Sequence, residues 1–156
     1  MKVDYINPIY QAANQVFKNM FQLELEKGDL KLEEDIVTTK EANVSISITG
    51  ELSGTILFSF PKEMALKMVE DMSGMETKEF DKFVASAIGE LGNIISGNAI
   101  SNLSDHNFDC DIAPPQISLG KNKTLSTATE KTLVIPLHSH YGEFELNVSI
   151  NEKNSK

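Results

Sequence analysis

Hydrophobic positions along this chain switch between two spacings, and the switches mark out its elements. Ile9, Ala12, Ala13, Val16, Phe17, Met20 and Phe21 recur at helical spacing. Asn7 followed by Pro8 fits an N-cap and a first helical position, so a first helix is expected from about Pro8 to Phe21. The polar stretch Gln22 to Lys40 has room for one or two short strands, with a turn at Gly28-Asp29. Strict alternation then takes over. Val44, Ile46 and Ile48 alternate with Ser45, Ser47 and Thr49, the pattern of a half-buried strand. Thr55 to Phe60 predicts its partner across a turn at Gly50 to Gly54, giving an antiparallel hairpin.

Pro61 opens a second helix, with Ala65, Met68, Val69 and Met72 on its apolar stripe and Gly74 placed as a C-terminal cap. The third and longest helix is expected from Phe80 to about Leu103. Asp105 to Pro115 reads as a connector, because Pro114-Pro115 can neither continue a helix nor serve a central strand. Thr132 to Leu137 and Glu143 to Ile150 predict a closing hairpin that turns near Tyr141-Gly142. A polar, frayed tail follows from Asn151. The expected architecture is α+β, a mainly antiparallel sheet with long helices packed on one face. It occupies residues 1–151 as a single domain, with 152–156 as polar tail.

Composition narrows the function. With 156 residues, 40% of them hydrophobic and 24% charged, the chain can bury a full core. Lys and Arg number 14 against 23 Asp and Glu, a net charge of −9, and no basic run occurs. Such a surface repels phosphate backbones and anionic membranes, so neither nucleic acid nor membrane is an expected partner. No apolar run suits a signal peptide or a membrane span. Cys110 is the sole cysteine, which excludes an intrachain disulfide and suits a reducing compartment, so the cytoplasm is the expected location. Asp109 and Asp111 flank it and disfavour its thiolate, making it a poor nucleophile.

The third helix carries the chemistry. Ser86, Glu90 and Asn93 fall within about 60° of one another around a helix of 3.6 residues per turn. Val84, Ile88, Leu91, Ile95 and Ala99 form an apolar stripe on a different, roughly opposite face. One face can anchor the helix while the other presents a hydroxyl, a carboxylate and a carboxamide. Gly89, Gly92 and Gly97 interrupt the same helix, and an interior glycine costs about 1 kcal/mol against alanine. Gly97 shares the polar face and leaves it open to a partner, whereas Gly89 and Gly92 are expected to permit tight packing inside the domain. By spacing alone, the solvated face of an amphipathic helix is the simpler account of the stripe.

The residues Ser86-Ala-Ile-Gly-Glu-Leu-Gly-Asn93 with Gly97, together with Asp111-Ile-Ala-Pro-Pro115, the strand pair from Gly50 to Phe60 and Ile6-x-Pro8, resemble the CheX branch of the CheC/CheX/FliY chemotaxis phosphatases. The resemblance spans nearly the whole chain, and the single polar motif favours the one-site CheX type over the two-site CheC type. Ala113 departs from the threonine expected before the two prolines. The resemblance implies hydrolysis of the aspartyl phosphate on a CheY-type response regulator, which brings its own magnesium ion and a lysine. It implies that Asn93 orients the attacking water, Glu90 pairs with the regulator's lysine, and Ser86 and Gly97 support docking. It further implies a homodimer joined through edge strands, with no metal or cofactor held by this chain.

Two other classes compete. A non-catalytic module binding a response regulator or a flagellar-switch protein would not need the water-positioning amide. A histidine metal site would draw on His138 and His140, whose rings would share one face of a strand, and on the distant His106. A serine hydrolase finds no Gly-x-Ser-x-Gly elbow anywhere in the chain. Met64, Met68 and Met72 keep i,i+4 spacing and read as core, with Met75 at the turn beyond.

Overall fold

The computed structural model describes residues 3–120 and 124–152, apart from the side chains of Val3, 34–38 and 124–130. The elements run α1 (Val3–Phe21), β1 (Glu26–Lys27), β2 (Lys31–Thr38), β3 (Ala42–Gly50), β4 (Leu52–Phe60), α2 (Lys62–Ser73), α3 (Lys82–Asp105), β5 (Cys110–Ile112), β6 (Gln116–Leu119), β7 (Thr124–Ser139) and β8 (Gly142–Glu152). Among the described residues the strands form one eight-stranded sheet in the order β1-β7-β8-β4-β3-β5, with β2 also on β7 and β6 also on β3. Every pairing is antiparallel.

Alternation decides which face of this sheet is dry. Val44, Ile46 and Ile48 of β3, Phe58 and Phe60 of β4, and Phe144, Leu146 and Val148 of β8 all enter one buried cluster with Ile9, Phe17, Met68, Ile88 and Leu91 of the helices. Phe17 stacks on Phe144 with ring centroids 5.0 Å apart, and Phe60 lies 4.8 Å from Phe144, so aromatic packing pins α1 to the centre of the sheet. This is the expected α+β arrangement, with helices on one face. No helix among the described residues is long and apolar enough to cross a membrane.

Several boundaries differ from the sequence expectation. α1 starts at Val3, so Pro8 lies inside the helix instead of opening it. Tyr5 explains the extra turn: it is buried and meets Phe108 edge-on at 5.8 Å, and that contact outweighs the one backbone hydrogen bond Pro8 cannot donate. The hairpin connection is displaced by one residue from Gly50 to Gly54: β3 and β4 stay paired out to Ile48 opposite Gly54, so residues 49–53 cross between them. The connector Asp105 to Pro115 contains β5, and β6 follows it, both added to the free edge of β3. The proline pair sits between these two strands and within neither. β8 continues through Asn151 and Glu152, paired with Ser53 and Leu52, so no frayed tail begins at Asn151. Residues 153–156 lie outside the described residues.

Candidate functional site

α3 owes its position to both of its ends and to one tight contact in its middle. Asp81 caps the N-terminus, its carboxylate accepting from the Val84 N–H at 2.9 Å. The helix thus starts two residues later than the Phe80 that spacing suggests; an Asp three residues ahead of the apolar-periodic Val84 is the signal that reveals the cap. At the other end Asn107 adopts φ 70°, and Phe108 N–H and Asn107 N–H bond back to Leu103 O at 2.8 Å and Ser104 O at 3.0 Å. This pair of bonds satisfies the last carbonyls and turns the chain towards β5. The Asn102 carboxamide donates to Pro8 O at 3.1 Å, tying the helix to α1.

The buried side of α3 is the stripe that periodicity predicts, Val84, Ile88, Leu91, Ile95 and Ala99, extended by Leu103. Gly92 is the close approach. A Cβ at this position would stand 2.7 Å from Val44 Cγ1 and 3.2 Å from Pro115 Cβ, so the helix rides directly on β3 and the proline pair. Gly89 differs from expectation. Its nearest neighbour would be Ile117 Cγ1 at 3.8 Å, an ordinary contact, so packing does not demand a glycine there.

Ser86, Glu90, Asn93 and Gly97 all lie exposed on the opposite side. Ideal helix geometry keeps the four within about 60° of arc and spreads them over about 16 Å of axis. Among the described residues, none of Ser86, Glu90 and Asn93 has a hydrogen-bond or ion-pair partner within the chain. A Cβ on Gly97 would meet nothing within 4 Å. A rigid, capped helix therefore presents an unpaired carboxylate, amide and hydroxyl towards solvent. Phe83 joins them on this face at 40% exposure, a neighbour that sequence reading missed although it sits three residues before Ser86.

The competing sets do not assemble. β7 ends at Ser139 and His140 lies in the turn, which breaks the alternation that would align its ring with His138. His138 Nδ1 stands 3.9 Å from Glu143 Oε2, and His106 Nδ1 lies 2.8 Å from Asn102 O at the C-cap of α3. Among the described residues no three His, Cys, Asp or Glu side chains converge as a metal-holding group. Cys110 is buried, and burial is the main reason its thiol pKa is raised; Glu51, Asp109 and Asp111 push the same way against a backbone hydrogen bond at Leu52.

The profile of the family described as chemotaxis phosphatase CheX matches residues 42–138, which take in the β3–β4 hairpin and all of α3. The chain belongs to the CheX family. The CheY-P phosphatase CheX of Thermotoga maritima is 30% identical over 152 residues, 96% of this chain and 97% of that protein. A CheC-like superfamily protein from a Shewanella species (strain PV-4) shares the fold with a TM-score of 0.88 at 28% identity, over 97% of this chain and 99% of that one. A chain in the CheX–CheY–BeF3–Mg complex from Borrelia burgdorferi gives a TM-score of 0.80 at 30% identity, over 97% of this chain and 100% of that one. Membership of the CheX family makes this chain a chemotaxis phosphatase, and the matched region contains Ser86, Glu90, Asn93 and Gly97.

Proposed function

We infer that this protein hydrolyses the aspartyl phosphate of a CheY-type response regulator by laying the outer face of α3 across the phosphorylation site. The observation that carries the reading is the exposed stripe itself: Glu90 and Asn93 lie on one face, unpaired, with the helix behind them fixed by Gly92 on Val44 and Pro115. The Thermotoga relative's name and the solved complex of CheX with CheY support the choice of partner.

Phosphoryl transfer asks little covalent chemistry of a catalyst and much positioning. Asn93 enters the regulator's site, its carboxamide both donating and accepting, so it can hold a water in line with the phosphorus. The water oxygen forms the new P–O bond as the bond to the aspartyl oxygen breaks. The regulator's carboxylate is regenerated, and inorganic phosphate leaves with both of the water's protons, which it then shares with solvent. Glu90, close to one turn before Asn93, pairs with the regulator's lysine and sets the register of docking. Ser86 supports the contact a turn further back. The magnesium ion is the regulator's, where it offsets phosphoryl charge that would otherwise oppose so acidic a partner. The Borrelia complex holds CheX and CheY together with BeF3 and magnesium.

The protein is further proposed to act in the cytoplasm as a homodimer. Support for the dimer comes from β2, an edge strand whose Leu32 is 56% exposed, beside Leu30 at 55%.

Phosphate release from a phosphorylated CheY-type regulator with magnesium tests the reading, and Glu90→Ala sharpens it. The variant is expected to weaken binding of the beryllofluoride-loaded regulator and to lower the release rate at subsaturating regulator, each by about tenfold, as loss of a charge-assisted pair implies, with little change at saturation. No acceleration by the wild-type protein, with binding retained, would make it a binding module. Gly97→Ala should separate fold from function. Its new methyl meets nothing within 4 Å among the described residues, so helix propensity should raise stability by about 1 kcal/mol, or about 2–4 °C in a thermal melt. The same methyl would hold the regulator away, and KM is expected to rise.

A further inference from the structure

The outward side of α3 carries Ser86, Gly97, Ser101 and Ser104, which are small, so the side chains that project far along it are Lys82, Phe83, Glu90 and Asn93, and Phe83 is the apolar one among them. Phe83 lies about 20° around the axis from Glu90 and about 10 Å before it, two turns towards the N-terminus. It is 40% exposed, stays out of the hydrophobic core that Phe80 packs against, and among the described residues meets no other ring. A single exposed apolar side chain is ordinary on a protein surface. Its place on this stripe is not, because Ser86, Glu90 and Asn93 have no partner among the described residues and the next turn offers only Ser86 and Ala87. A flat partner surface can settle over small residues only where the projecting ones find recesses.

We propose that Phe83 is an apolar anchor for the regulator, a specificity-determining residue that enters a hydrophobic depression on the receiver about 10 Å from the lysine met by Glu90. This rests on the docking reading above. Glu90 and Asn93 address features that any phosphorylated receiver offers, namely a lysine and a phosphoryl group. An aromatic ring two turns away reads surface outside that shared chemistry, so it discriminates one receiver from another. Burial of an aromatic side chain in a partner's pocket is the kind of contact whose truncation costs much.

The test compares wild type, Phe83→Ala and Phe83→Leu, with Asn93→Ala as the reference for a lost reacting group. Binding of the beryllofluoride–magnesium regulator, phosphate release and thermal melts are measured together. Phe83→Ala is expected to raise Kd and KM about tenfold or more, leave kcat within about twofold and leave the melting temperature unmoved. Phe83→Leu should recover most of the affinity. Unchanged Kd and KM in Phe83→Ala, beside an inactive Asn93→Ala, would overturn the anchor and leave the docking reading standing. A shift in self-association in place of regulator affinity would overturn it too, assigning the ring to a second copy of this chain. A wild-type protein that neither binds nor dephosphorylates any regulator would end both.

Discussion

Asn93→Ala is expected to lower the rate of phosphate release from saturating regulator by about 10²-fold or more, the scale on which loss of a single preorganised polar group acts. Affinity for the beryllofluoride-loaded regulator should stay within a few-fold, because Glu90 and the rest of the stripe still dock. This split follows from the division of labour along α3. Asn93 contributes a neutral amide whose value lies in orienting water, an interaction made in the transition state, whereas the Glu90 charge contributes equally before and after. Asn93→Asp extends the test. A carboxylate is isosteric but cannot donate, and it places negative charge beside the phosphoryl group, so it should lose binding as well as rate. Fluorescence or calorimetric titration of the loaded regulator checks the affinity arm.

Gly92→Ala is expected to damage fold and activity together. The added methyl would stand 2.7 Å from Val44 Cγ1 and 3.2 Å from Pro115 Cβ. Neither neighbour yields cheaply. Val44 is a buried, β-branched residue of β3, paired with Phe58 and Ile117 on its two sides, and Pro115 is a ring fixed between β5 and β6. Overpacking of this kind costs about 1–3 kcal/mol, of which the gain in helix propensity returns about 1. A melting temperature lowered by several degrees is therefore expected, at about 2–4 °C per kcal/mol. The residual folded protein should also release phosphate slowly, since relief of the clash lifts α3 off the sheet and displaces Asn93. A shift near 1 Å at a reacting group costs about 10²-fold. The contrast with Gly97→Ala, five residues along the same helix, isolates packing from propensity. If Gly92→Ala melted at the wild-type temperature with full activity, α3 would not be positioned by that contact.

Much of this arrangement was legible because two periodicities were clean. Val44, Ile46 and Ile48 alternate without interruption, and Val84 to Ala99 keep helical spacing, so the direction in which each side chain points follows from its number. The exposure of Ser86, Glu90, Asn93 and Gly97 was therefore readable before any fold was known. Elements held by pairing partners in place of their own pattern were not readable. β5 spans Cys110–Ile112 and β6 spans Gln116–Leu119, too short to show a period, and both exist because β3 offers them an edge. β7 begins at Thr124, eight residues ahead of the strand read at Thr132, because the stretch from Thr124 to Glu130 has few apolar residues to alternate. It is held by pairing with Ile36, Val37 and Thr38 of β2. The start of α1 escaped for a similar reason, since Tyr5 earns its turn of helix from Phe108, a residue far along the chain. Gly89 and Gly92 look alike in sequence and differ in contact, a distinction that depends on where Val44 and Pro115 arrive.

The most direct measurement is single-turnover decay of the phosphoryl group on a CheY-type regulator with magnesium, mixed with excess wild-type protein or excess Asn93→Ala. Acceleration by the wild-type protein, and decay at the regulator's own rate with the variant still bound, is the predicted result. Equal acceleration by the two proteins would contradict the assignment of Asn93 as the residue that places the attacking water.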